Sequence, residues 1–233
     1  ARTWINFGML WFVFSSICGF LGLWHHYDPA ALDSLASIGW SYENGDALTT
    51  TTTKFLGVAV FSTLVGAGLM SISRSSNGKM ASEASASLSA FLFTLTTILA
   101  ALLPSLLGLL GQDIDSAMNV VLIDAVSKLA VAMIVAGLFV NVLLTVANRG
   151  DEEVSTSAWF LIFALLTFIL SMFFGFFGEL IGSTQTVWLA GQIGSSWVLL
   201  ALIFSVAYHV IPMTSGTPIW SGSMRKANLL LLF

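Results

Sequence analysis

Asp124 and Lys128 are the residues whose types and spacing most directly allow chemistry in this chain. They lie four positions apart inside the long apolar segment 120–147, and on an α-helix this spacing places both side chains on one face. Ionisable groups at membrane depth are costly, so they need a structural or functional reason. We interpret them first as a self-neutralising ion pair that orients the helix. The alternative is one step of a proton path, which Asn141 and Thr145, further along the same stripe, would extend.

Three histidines could titrate near neutral pH or bind a metal ion. His25 and His26 are adjacent in an aromatic segment, and because neighbouring side chains on a helix point about 100° apart, both cannot bind one metal ion without unwinding. We interpret this pair as interfacial titratable groups of an aromatic belt, and His209 as a hydrogen-bonded interface histidine. The single cysteine, Cys18, can form neither an intramolecular disulfide nor a multi-cysteine centre. No metal site is therefore predicted.

The elements that position these residues are long and apolar. Hydrophobic residues make up 57% of the 233 residues, charged residues make up 9%, and the mean hydropathy is +0.92. A soluble domain has about a quarter charged residues, so the chain is predicted to be an integral membrane protein. Its net charge of −4, without a basic tract, argues against nucleic acid as a partner.

Six segments are long enough to cross a bilayer as helices, which takes roughly 20 apolar residues. They are 4–24, 54–73, 86–110, 120–147, 158–181 and 186–212. The apolar run 227–233 is too short to span, and we expect it to begin a seventh helix. The predicted fold is all-α: a polytopic transmembrane helix bundle that forms a single membrane domain over residues 1–233.

The lysines and arginines between the segments are divided unequally between the two ends of the predicted bundle. Lysines and arginines fall at one end of the predicted bundle, here called the basic end: Arg2, Arg74, Lys79, Arg149, Arg225 and Lys226. Six carboxylates lie at the other, the acidic end, where Lys54 is the only lysine or arginine: Asp28, Asp33, Glu43, Asp46, Asp113 and Asp115. Cytoplasmic loops carry the excess of basic residues, so the N-terminus is predicted to be cytoplasmic.

The last complete segment carries a recognisable order of residues. Trp188 and Gly191 precede position 192, Pro212 follows it by twenty residues, and 216–221 reads Gly-Thr-Pro-Ile-Trp-Ser. This order resembles the N-terminal half of subunit I of the haem-copper oxidase superfamily, in the branch of the cbb-type cytochrome c oxidases and nitric oxide reductases. In that family a Trp-x-x-Gly-His motif supplies a ligand of the non-haem metal, and a Gly-x-Pro loop follows a helix-ending proline.

Two ligand positions of that family are substituted here. Position 192 is Gln, and an amide oxygen is a poor donor for copper or iron beside imidazole. The low-spin haem ligand at the start of the second helix is replaced by Thr49, Thr50 and Thr51. The resemblance therefore implies the scaffold with a degenerate metal pocket, formed by Trp188, Gly191 and Gln192, and a degenerate haem-ligand region. Because an unpaired buried amide costs a few kcal/mol, the Gln192 side chain is expected to bond to neighbouring helices.

Three functional hypotheses follow. The favoured one is a structural or accessory subunit of a respiratory or other redox complex in a prokaryotic plasma membrane. This chain would bind no cofactor itself, its partners would be other membrane subunits, lipids and quinol, and haem or copper would lie in the partner subunits. The second is an active terminal oxidase or nitric oxide reductase core whose remaining ligands lie elsewhere. The third is a proton or solute transporter or channel that uses Asp124 and Lys128.

Overall fold

The computed structural model describes residues 1–28, 30, 46–75, 80–109, 117–148, 154–216 and 227, and within these ranges all regular structure is helical. The first five spans are single long helices: α1 (Arg2–Tyr27), α2 (Asp46–Ser75), α3 (Glu83–Leu109), α4 (Ala117–Ala147) and α5 (Thr156–Leu180). The sixth span, Thr184–Ser215, consists of α6 (Thr184–Gln192), a π-helical segment (Ile193–Val198) and α7 (Leu199–Ser215).

All six spans are long and apolar enough to cross a membrane. The predicted all-α polytopic membrane bundle with six complete helices is therefore confirmed. The cytoplasmic position of the N-terminus stays a prediction. Residues 228–233 of the expected seventh helix lie outside the described residues, as do residues 217–221 of the Gly-x-Pro loop.

The helix boundaries differ from those predicted by hydropathy, most of all at the start of α2. α2 begins at Asp46, eight residues before position 54, so Thr49–Thr51 are already helical. The sixth span continues past Pro212 to Ser215 and is capped by Gly216, which has a φ of 65° and donates its N–H to the Pro212 carbonyl at 3.0 Å. Hydropathy reports where the hydrocarbon begins, whereas a helix continues as long as its backbone bonds and caps are satisfied.

Glycines bring neighbouring helices into backbone contact. A Cβ added to Gly8 would lie 2.9 Å from the backbone N of Thr63, and one added to Gly66 would lie 2.9 Å from that of Ile5. α1 and α2 therefore pack antiparallel in close contact, with small residues at the interface as is common in membranes. α2 and α5 are the most buried of the six spans.

Buried polar side chains near the basic end bond within the bundle. Ser157 of α5 donates to the Ser205 carbonyl at 2.6 Å, and Ser205 donates to the Ser157 carbonyl at 2.9 Å. The Asn141 amide accepts from Ser82 N at 3.0 Å and donates to Ser82 O at 2.7 Å, which holds the chain just before α3. In a water-free environment such bonds satisfy groups that would otherwise be unpaired.

Candidate functional site

An ion triad joins α4 to α5 toward the acidic end. The Lys128 ammonium lies 2.7 Å from Asp124 Oδ2 and also contacts Glu179 Oε1. The side chains are 24% exposed for Lys128, 49% for Asp124 and 14% for Glu179. One ammonium is thus shared by two carboxylates, of which one is half exposed and the other is largely buried.

The sequence alone does not indicate that Glu179 belongs to this triad. Glu179 lies next to the end of α5, where a carboxylate is most simply interpreted as an interfacial residue. The sequence feature that could have indicated this contact is Gly175, which lies four residues earlier on the same face of the helix. A Cβ at Gly175 would lie 3.1 Å from Lys128 Cδ, so the missing side chain leaves room for the lysine stem. The second carboxylate oxygen of Glu179, Oε2, is buried and has no hydrogen-bond partner.

The proposed polar stripe on α4 does not continue through the membrane in the described residues. Asn141 and Thr145 are buried and bond to the backbone at Ser82 and Ala81. Fully buried apolar side chains separate them from the triad: Val135 and Leu138. Asn141 and Thr145 therefore fix the start of α3, and the triad is the part of the stripe that remains available for chemistry.

A cleft of about 440 Å³ adjoins the triad between α2, α3, α4 and α5. Its polar end contains Lys54, Asp124 and Lys128, and its remaining surface is mostly apolar. The lining residues are Lys54, Phe55, Gly57, Val58, Phe61, Phe93, Thr96, Thr97, Ala100, Ala101, Asp124, Ser127, Lys128, Val131, Phe168 and Met172. The cleft is thus amphipathic, with its charges at one end.

Stacked aromatic rings form the floor of this cleft. Phe61 and Phe168 stack with ring centroids 4.1 Å apart, and Phe93 lies 5.5 Å from Phe61. Behind them the fully buried Trp4 lies 5.3 Å from Phe93 and donates its indole N–H to the Ala86 carbonyl at 3.0 Å. The ring cluster closes the cleft toward the basic end and gives it an apolar base.

The residues of the predicted degenerate metal pocket lie on the outer surface of the bundle. Trp188 is 66% exposed, and Gly191 and Gln192 are exposed as well. No hydrogen bond joins the Gln192 amide to another described residue, so the expected bond from Gln192 to a neighbouring helix is not found in the described part of the chain. The reason is the rotation of α6, which turns Ala190 toward α5 and its neighbours outward.

A π-helical segment follows Gln192 directly, and sequence reasoning did not predict it. Ser171 of α5 donates its hydroxyl to the Ala190 carbonyl at 2.7 Å, the acceptor that an undisturbed α-helix would pair with the N–H of Gly194. A side chain inserted into the i→i−4 ladder is a recognised cause of such irregularity. π turns within α-helices are frequent at functional sites.

The remaining predicted residues are not brought together. His25 is half-buried and His26 is exposed in the last turn of α1 at the acidic end, whereas His209 is half-buried in α7, toward the basic end. Thr51 is half-buried in α2; the side chains of Thr49 and Thr50 lie outside the described residues. Within the described ranges, no group of three or more His, Cys, Asp or Glu residues could hold a metal ion.

The six membrane-crossing helices make this chain a polytopic integral membrane protein. No family model, curated protein or solved structure matches it. The residues themselves are therefore the basis on which a function can be proposed.

Proposed function

We propose that this chain is a non-catalytic subunit of a respiratory or other redox complex in a prokaryotic plasma membrane. Its scaffold would resemble the N-terminal half of haem-copper oxidase subunit I, with the ligand positions replaced at Gln192 and at Thr49–Thr51. The observation that carries the proposal is a polar strip on the surface of the sixth span. We call it the docking strip; it comprises Gly191, Gln192, Ser195 and Ser196, all exposed.

The docking strip has the features by which membrane helices associate. Gly191 and Ser195 are small residues at a four-residue spacing, and a Cβ at Gly191 would meet no atom within 4 Å, so a second helix can approach closely. Gln192 adds a side-chain amide with free donors and acceptors. Hydrocarbon cannot satisfy an amide, and a polar group on a facing helix can. Another transmembrane subunit is therefore a better neighbour for this strip than lipid.

The strip also explains why the substituted position is useful in a non-catalytic chain. An imidazole at position 192 would serve a metal ion, whereas an amide serves hydrogen bonding between helices. Under this proposal haem or copper belongs to the partner subunits, and lipids and quinol are further contacts of the assembled complex. Trp188 beside the strip, 66% exposed, would be covered in the same interface.

A photo-cross-linking amino acid at position 192 tests the interface in native membranes. The matched control is the same amino acid at Met133, which is 63% exposed on α4 and lies away from the strip. We expect position 192 to cross-link to a membrane subunit of a haem- or copper-containing complex and Met133 to cross-link to lipid. Cross-linking of position 192 to lipid alone, or to a partner without a redox centre, would refute the proposal.

A reduced-minus-oxidised absorbance spectrum of the isolated chain tests the non-catalytic part. We expect no haem bands from the chain itself and clear bands from the intact complex. Haem bound by the isolated chain would favour the active oxidase or nitric oxide reductase hypothesis instead.

Transport is a second candidate function, and one observation favours it. The Lys128 ammonium is shared by two carboxylates at the edge of an open cleft, an arrangement that can exchange a proton between partners. Proton or solute flux into vesicles should then fall in Asp124→Asn and stay unchanged in Gln192→Leu. Equal flux in wild type and Asp124→Asn would count against transport.

A further inference from the structure

The polar end of the cleft carries separated charges of opposite sign. Lys128 is paired with both Asp124 and Glu179, so the triad of two carboxylates and one ammonium has a net charge of −1. Lys54 lines the same end from α2, is exposed, and has no carboxylate within salt-bridge distance among the described residues. A ligand that complements this end must offer a negative group to Lys54 and a positive group to the triad.

The triad presents its negative charge to the cleft through Asp124. That side chain is 49% exposed and lines the cleft, whereas Glu179 is 14% exposed and is not one of the lining residues. Only one Asp124 oxygen, Oδ2, is used by Lys128 at 2.7 Å. The other oxygen can accept a hydrogen bond from a cationic donor, and such charge-assisted bonds are the stronger ones.

The rest of the cleft suits a hydrocarbon chain. Its volume of about 440 Å³ falls within the range of small-molecule sites, roughly 300–1,000 Å³. α2 and α3 line the cleft from two sides and are consecutive in the chain, but they make almost no backbone contact, so the cleft separates them. Gly57 lines the cleft on α2, and a Cβ there would meet no atom within 4 Å.

We propose that this cleft binds one phospholipid with a phosphoethanolamine headgroup. The phosphate pairs with Lys54, the ammonium donates to Asp124, and an acyl chain lies along the apolar walls toward the ring cluster at Phe61. A phosphocholine headgroup has no N–H to donate, and a phosphoglycerol headgroup has no positive charge to offer, so neither complements both ends. This site is independent of the docking strip on the sixth span.

Native mass spectrometry of the full chain in mild detergent tests the headgroup. The chain is given equal amounts of dioleoyl phosphatidylethanolamine, phosphatidylcholine and phosphatidylglycerol. We expect one bound phosphatidylethanolamine, with the other two bound about tenfold more weakly, the loss of one charge-assisted hydrogen bond. Phosphatidylglycerol or phosphatidylcholine bound as well as phosphatidylethanolamine would overturn the proposal, as would displacement of all three by a quinol.

A pair of glycine variants tests the location. Gly57→Leu fills the cleft, whereas Gly137→Leu adds the same side chain at another open glycine, on α4 and outside the cleft. We expect the first to lose the lipid and the second to keep it, with both chains folded. Equal lipid binding by the two variants would refute the location.

Charge variants separate this proposal from the proposed subunit function. Lys54→Gln and Asp124→Asn should each weaken phosphatidylethanolamine binding about tenfold, while Arg2→Gln, at the basic end, should not change it. Gln192→Leu should weaken partner association and leave the bound lipid in place. If Lys54→Gln and Asp124→Asn both bind the lipid as wild type does, the site is wrong even where the docking strip proves correct.

Discussion

Removal of Lys128 is the perturbation that tests the ion triad most directly. Lys128→Met keeps an unbranched apolar side chain close in size to the lysine stem, which packs over Gly175, and removes the ammonium. Two carboxylates then lose their shared partner. Breaking a buried pair costs about 3–5 kcal/mol when one charge is left uncompensated, whereas exposed pairs contribute about 0–1 kcal/mol.

The exposed fractions set where this triad lies between those limits. Asp124 is 49% exposed and can be solvated after the loss of Lys128, so its carboxylate contributes little to the destabilisation. Glu179 is 14% exposed, and its Oε2 already has no hydrogen-bond partner, so its carboxylate contributes most of the destabilisation. We expect Lys128→Met to lower the free energy of unfolding by about 3 kcal/mol, and Asp124→Asn to lower it by less than about 1 kcal/mol.

The double variant Lys128→Met/Glu179→Gln distinguishes two causes of destabilisation: the loss of an attractive ion pair, and a buried carboxylate left without a partner. If the cost of Lys128→Met comes from the uncompensated Glu179 carboxylate, the addition of Glu179→Gln should recover more than half of it, because deleting both members of a buried pair is nearly neutral. Equilibrium unfolding by SDS in mixed micelles, followed by tryptophan fluorescence, measures all the variants. A double variant no more stable than Lys128→Met, or an Asp124→Asn variant less stable than Lys128→Met, would refute this reasoning.

The remaining predictions concern helix packing and the π-helical segment. Gly66→Ala should lower the free energy of unfolding by about 1–3 kcal/mol, because the new Cβ would lie 2.9 Å from the backbone N of Ile5. Gly137→Ala adds a Cβ that meets no atom within 4 Å, so it should raise the free energy of unfolding by up to about 1 kcal/mol through helix propensity. The same unfolding assay checks both, and a destabilised Gly137→Ala with an unaffected Gly66→Ala would contradict the packing. Ser171→Ala removes the 2.7 Å hydrogen bond to the Ala190 carbonyl, so it should lower the free energy of unfolding by about 1 kcal/mol and change the rates of amide hydrogen exchange after Ala190. Unchanged exchange rates would show that Ser171 does not maintain the π-helical segment.

The sequence by itself determined which segments enter the membrane. Apolar runs of about 20 residues or more have one stable form in hydrocarbon, a helix that satisfies its own backbone, and the structure has a helical span at each of the six predicted places. The pairing of Asp124 with Lys128 could also be predicted, because it depends only on a spacing of four within one helix. Such local features need no knowledge of how one helix lies against another.

The tertiary structure alone decided which side chains meet across helices. Glu179 joins Lys128 because α5 presents Gly175 and Glu179 toward α4, and Gln192 faces outward because Ala190 takes the inward position. The physical reason is that membrane helices are apolar on nearly every side. Hydropathy therefore does not mark the face that packs inward, and the rotation of each helix is set by close approach at small residues and by single hydrogen bonds such as the one from Ser171.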